Sequence, residues 1–227
     1  MSIGCAAETQ LAEAAELYAG LLTAMEGLSV KLPVPNYFDH SIMAIDQSIM
    51  EHKVLLQHVT HEEAGLELMY KIQMLERFKT FNWNGAEYIT WKNSHGDYNP
   101  FQFLYQDGKI TSVLDFMSAK YMPIAFELFR NFLYMDSDAM VYKLNEDHLS
   151  NYLRAFAAHH PLSEYDLKFM VPLYYLRILT STFGYREYCL NPEQTEYLRL
   201  GRQLFEQCIW LETLISDSRS LRECFCL

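Results

Sequence analysis

Apolar residues along the first third of the chain recur three and four positions apart. Leu11, Ala14, Tyr18, Leu21, Leu22, Met25 and Leu28 share one face of an α-helix, and Gly27 and Pro33 mark its exit. A proline-containing connection over 31–36 leads to a less regular helical stripe of Ile42, Ile45, Ile49, Leu56 and Val59. Thr60-x-x-Glu63 has the form of a capping box, in which hydroxyl and carboxylate each satisfy an N–H that opens a helix. Leu66, Met69, Tyr70 and Phe78 continue that helix to about Lys79.

The pattern then changes period. From near Trp83 to near Phe116 the chain reads as a short strand-rich island, with a strand over 88–91 and a hairpin of 101–105 with 109–116. Asp107-Gly108 between two β-rich runs is a strong hairpin signal. Residues 94–100, Ser-His-Gly-Asp-Tyr-Asn-Pro, are turn formers throughout. Beyond the island, Pro123 fits the first turn of a helix that turns Ile124, Leu128, Phe129, Phe132 and Leu133 inward. Asn145 opens a helix carrying Leu149, Tyr152, Leu153 and Phe156. Ser163 precedes a helix that Pro172 is expected to kink or divide, and Asn191-Pro192 opens the last one.

Composition narrows the possibilities. Of 227 residues, 50% are hydrophobic and 15% aromatic, enough for a sizeable core and too many for general disorder. The formal charge of −11, from 18 basic and 29 acidic side chains, argues against a nucleic-acid binder. No apolar run reaches the roughly 20 residues that span a bilayer, and the first residues have no signal-peptide form. Cys5, Cys189, Cys208, Cys224 and Cys226 are odd in number and widely spaced, which fits reduced thiols in a cytoplasmic protein. His58 with His61 and the pair His159–His160 lack a third convergent metal ligand. A serine hydrolase would need G-x-S-x-G, and a metallophosphoesterase D-x-H and G-N-H, none of which occurs.

The island also carries chemistry. His95-Gly96-Asp97, then Gln102, a hairpin, and Asp115-Phe116 follow the order of the protein-kinase signature H-R-D-x-x-x-x-N … D-F-G. Phosphoryl transfer needs an acceptor hydroxyl set against a base, and metal ions to neutralise phosphate charge. Asp97 takes the base position, and Gln102 and Asp115 take the two metal-binding ones. Antiparallel strands would bring Gln102, near the start of one, close to Asp115 at the end of the other.

Over residues 93–132 the sequence resembles the catalytic segment of the aminoglycoside phosphotransferase superfamily, which includes choline, fructosamine and type II homoserine kinases. The family pattern is H-G-D-x-H-P-x-N-x-[LI], a hairpin, then [IV]-D-[FW]. His95, Gly96, Asp97, Pro100, Leu104, Asp115 and Phe116 match it. Residues 119–123 and 126–128 resemble the family's A-R-x-G-P-x-x-x-D-L-A. The chain departs by having Gln102 for the metal-binding Asn, Asn99 for a His, and Glu127 for a supporting Asp. In the resembled motif His95 holds the loop and Glu127 supports it.

The resemblance implies a mainly α chain with a small β-hairpin island (α+β), the carboxy-terminal lobe of a protein-kinase-like fold with the amino-terminal β lobe absent. Residues 1–10 would be a frayed start or former inter-lobe linker, and 11–227 one catalytic lobe. The first 94 residues hold no G-x-G-x-x-G and no V-A-I-K strand, and Lys53 and Lys71 fall in helices. The leading expectation is phosphorylation of a small-molecule hydroxyl (amino alcohol, aminoglycoside or sugar amine) with ATP as co-substrate and Mg²⁺. Acidic and aromatic segments 134–138 and 164–175 are the candidate acceptor contacts, with solvated helix faces and core aromatics as the other reading. The alternative function is a catalytically incompetent ligand-binding or protein-interaction lobe. Apolar surface near Phe101 and Phe103 would then meet a second copy or a partner.

Overall fold

The computed structural model describes residues 8–216. They divide into two compact units: residues 8–35 with 85–174, and residues 36–84 with 175–216. The described residues have the expected class, mainly helical with two two-stranded antiparallel sheets among them. No helix among the described residues is long and apolar enough to cross a membrane.

The first unit is built around α4 (Ile124–Met135), a helix in which every residue but Arg130 and Tyr134 is buried. Such all-round burial marks a central helix. α1 (Glu8–Glu26) packs against α4 and α5 (Glu146–Ala157) through Leu11, Ala14, Ala15, Tyr18 and Leu22. Asn145 caps α5, its Oδ1 accepting the His148 N–H at 3.2 Å. β1 (Trp91–Ser94) pairs with β4 (Lys120–Pro123), Trp91 opposite Pro123 and Ser94 opposite Lys120. β2 (Phe103–Gln106) and β3 (Lys109–Val113) form the hairpin. Its turn has positive φ at both Asp107 (52°) and Gly108 (78°), the pair of dihedrals that matches strand twist in a two-residue loop. Asp166, buried in α6 (Glu164–Leu179), accepts the Thr90 N–H and hydroxyl at 2.8 Å each and so fixes the residue that leads into β1.

The second unit packs α2 (Ile42–Leu56), α3 (Glu62–Phe78), α7 (Tyr185–Leu190) and α8 (Thr195–Ser216). Leu55, Ala64, Leu68 and Tyr185 form its centre, with Val59, Leu198 and Phe205 against them. Gly184, at φ 89°, lies so close to Gly201 that a Cβ would overlap the Gly201 backbone. Lys71 is fully buried, and its ammonium donates to Ile178 O at 3.1 Å and Ser181 O at 2.6 Å. Carbonyls at a helix C-terminus lack intrahelical partners and carry partial negative charge, so they accept a cation well. Cys189 and Cys208 are free thiols, and burial raises Cys208 to about 11. Cys5, Cys224 and Cys226 lie outside the described residues.

Four expectations are corrected. Residues 88–91 are not the first strand; a 3-10 turn occupies Ala86–Tyr88 and the strand is Trp91–Ser94. Its partner β4 ends in Pro123, which has no N–H to extend the ladder, and this hid the strand. The cap of α3 is His61, whose Nδ1 accepts from Ala64 N, so Thr60 stands one residue outside. Pro172 does not divide α6: its neighbours 169–176 are almost wholly buried, and that burial offsets a helix-interior proline's cost of about 3 kcal/mol. Asn191 closes α7 instead of opening α8, which begins at Thr195.

His52 gives the second unit a pH dependence. Its Nδ1 lies 2.7 Å from Ser48 O, while Nε2 is buried without a partner among the described residues. Burial, with the Lys71 ammonium adding to it, pushes the imidazole from 6.5 down to about 4. Between those two values the unfolded chain binds a proton that the folded one refuses. Stability from this group is complete above pH 6.5 and is lost as pH falls towards 4. Urea unfolding at pH 7 and pH 5 is expected to show a loss about 2 kcal/mol larger in the wild type than in His52→Leu. Equal losses would mean that His52 is not held neutral.

Candidate active site

β1 delivers the chain into a turn over residues 95–99 whose backbone is tied by successive side chains. His95 is buried; its Nδ1 accepts the Asp97 N–H at 3.2 Å, which leaves Nε2 as the donor to Leu114 O at 2.7 Å. Both ring nitrogens are thus committed to backbone. Gly96 adopts φ 80°, and a Cβ there would overlap Ser118 O. Asn99 accepts the Phe101 N–H at 2.9 Å and donates to Asp97 O at 3.0 Å, starting a 3-10 turn at Pro100–Gln102.

Asp97 sits at the apex. Gln102 Nε2 donates to its Oδ2 at 3.1 Å, and Arg130 pairs with Oδ1 while donating to Gly96 O at 3.1 Å. A carboxylate only accepts, so the Gln102 amide presents its NH₂ to Asp97 and keeps its oxygen for another partner. Arg130 was not singled out in the sequence. The available signal was a lone cation in a helix otherwise rich in apolar residues.

The 114–118 segment is stapled to this turn. Leu114 N–H donates to Gln102 O at 2.8 Å, and the His95 and Phe116 rings lie 4.6 Å apart. Asp115 is left-handed, at φ 57°, a conformation that Asp tolerates better than most residues. Its Oδ1 accepts the Met117 N–H at 3.3 Å, and the side chain is exposed. Gln102 Oε1 and the second oxygen of Asp115 are hard donors of the kind that suits Mg²⁺.

Beneath the turn lies Glu127, with no exposure. It accepts the Tyr98 N–H at 2.9 Å and the Ser94 hydroxyl, and the Tyr18 hydroxyl stands 3.3 Å from it. Tyr98 OH donates to Ala14 O at 2.8 Å, and the Tyr18 and Tyr98 rings stack at 4.9 Å. Burial, reinforced by the Glu127 charge, raises both phenols well above their ordinary range. α1 is therefore part of the site's support.

The candidate acceptor segments offer less charge than their composition suggests. Asp136 is buried, and its carboxylate takes the Ala139 N–H at 2.9 Å and lies 2.6 Å from His148 Nδ1. Asp138 accepts from Asn145 at 3.0 Å, and Asp166 is occupied by Thr90 and Ser163. Tyr134 remains exposed, in edge contact with Phe101. Of the apolar pair expected at the surface, Phe101 is exposed while Phe103 is buried against Tyr98.

Gly96→Ala tests how tightly the turn is held. The substitution places a Cβ into Ser118 O at a φ that disfavours it, so urea denaturation is expected to show a loss of at least about 2 kcal/mol. A stability equal to that of the wild type would mean that the turn and the 115–118 segment are not in contact.

No protein-family model matches the chain, and no curated protein matches it in sequence. Among solved structures, the fold is similar to that of a choline kinase from Cryptosporidium parvum Iowa II. The TM-score is 0.60 at 12% identity, and the match covers 95% of this chain and 68% of the other. At that identity the likeness is one of fold: the chain has an architecture similar to that of a choline kinase.

Proposed function

We propose that this chain carries the site of an ATP-dependent small-molecule phosphotransferase acting on a hydroxyl group. One observation carries the reading. Asp97 and Gln102 meet at 3.1 Å on a turn to which the Asp115 segment is hydrogen-bonded, inside a fold similar to that of a choline kinase. Asp97 accepts a hydrogen bond from the acceptor hydroxyl and orients its oxygen towards the γ-phosphorus of ATP. As the new O–P bond forms, the bond from the γ-phosphorus to the β–γ bridging oxygen breaks, and its electron pair leaves with ADP. The hydroxyl proton passes to the Asp97 carboxylate and then to solvent. Gln102 Oε1 and Asp115 would hold Mg²⁺, which supplies charge neutralisation at the phosphates when bound. His95 and Glu127 act by holding the turn. The proposed acceptor is an amino alcohol, aminoglycoside or sugar amine.

A second reading has its own observation. Both oxygens of Asp97 already have partners, Arg130 and the Gln102 amide. A carboxylate so engaged also suits a lobe that keeps the fold as a ligand-binding or interaction module without turnover.

ADP release measured across a panel of those acceptors separates the two. Phosphotransfer predicts turnover that falls at least about 100-fold in Asp97→Asn. It also predicts a magnesium-dependent thermal shift with ATP that is lost in Asp115→Ala and kept in Arg199→Ala, a change on exposed α8 surface. No nucleotide effect on the wild type would favour the module.

A further inference from the structure

α4 buries ten of its twelve residues, and the two it leaves partly open, Arg130 and Tyr134, stand one helical turn apart on the same face. Both meet the segment that carries Asp97. Arg130 reaches Gly96 and Asp97, and Tyr134 meets the Phe101 ring. An arginine in so buried a helix carries a desolvation cost, and here the guanidinium is matched to one carboxylate and one carbonyl.

We propose that Arg130 is the positioning residue for Asp97, an inference that rests on the phosphotransferase reading above. Its planar fork grips two consecutive residues, the Gly96 carbonyl and the Asp97 side chain, and so fixes the carboxylate relative to its own backbone. Gln102 holds the other oxygen from the hairpin side. A carboxylate held at both oxygens still has lone pairs for an acceptor hydroxyl, but only in a narrow range of directions. Arg130 thus acts on the direction of attack through Asp97, without touching the acceptor. A lysine keeps the charge and loses the fork, so it cannot hold both partners in one plane.

The test uses the full chain, ATP with Mg²⁺, and whichever acceptor of the panel gives the highest wild-type turnover. Misplaced catalytic groups typically cost about 100-fold, so Arg130→Met is expected to lower kcat by that order with both KM values within about threefold. Arg130→Lys is expected to fall between Met and wild type. Millimolar guanidinium is expected to restore part of the turnover of Arg130→Ala and none of that of Asp97→Asn. Thermal melts accompany each variant; if Arg130→Met fails to fold, the Lys variant and the guanidinium titration decide. Unchanged kcat in an active enzyme, or a loss shared equally by kcat and KM without rescue, overturns the inference alone. A wild type that transfers no phosphoryl group to any acceptor overturns the phosphotransferase reading and this inference with it.

Discussion

The Glu127 carboxylate lies where water does not reach it, and the chain meets its need for hydrogen bonds with groups from three places. The Tyr98 N–H comes from the turn that carries Asp97, the Ser94 hydroxyl from the end of β1, and the Tyr18 hydroxyl from α1. An unsatisfied buried charge costs several kcal/mol, so these donors must stay where they are for the fold to persist. The position of Asp97 is a by-product of that requirement. The turn cannot drift without stripping a donor from Glu127, which makes the buried acid of α4 the anchor for the partly exposed one above it.

Much of this was readable in the sequence, and the rest was hidden for physical reasons. Asp107-Gly108 announced its hairpin because positive φ at two successive positions is a local demand that few residue pairs meet. Asn145 announced α5 in the same way, through a side chain that bonds its own helix. Asp97 and Gln102, five residues apart, are joined by a contact that short-range geometry governs. Arg130 is different: its meeting with Asp97 depends on how α4 packs, and no local pattern encodes that. β4 and the uninterrupted α6 were hidden likewise. A strand that ends in proline and a helix that contains one both contradict local propensity, and burial or pairing supplied by distant residues prevails.

The second unit solves a related problem with the opposite charge. Two carbonyls, one from the end of α6 and one from just beyond it, receive the buried Lys71 ammonium. That arrangement stabilises one cation and penalises a second nearby, which adds to the burial that keeps the neighbouring His52 neutral. One lysine therefore closes a helix end and helps to set the protonation state of its neighbour.

The Asp97–Arg130 pair links positions 33 residues apart in the chain. Each member loses its ionic partner without the other: the guanidinium would keep only the Gly96 carbonyl between buried flanks of α4, and the carboxylate only the Gln102 amide on a constrained turn. Substitution at one site therefore places selection on the other, and the two should be inherited as a unit. A lineage that abandoned one would be under pressure to discard both, so joint loss would leave a legible mark in descent even where no activity had been measured.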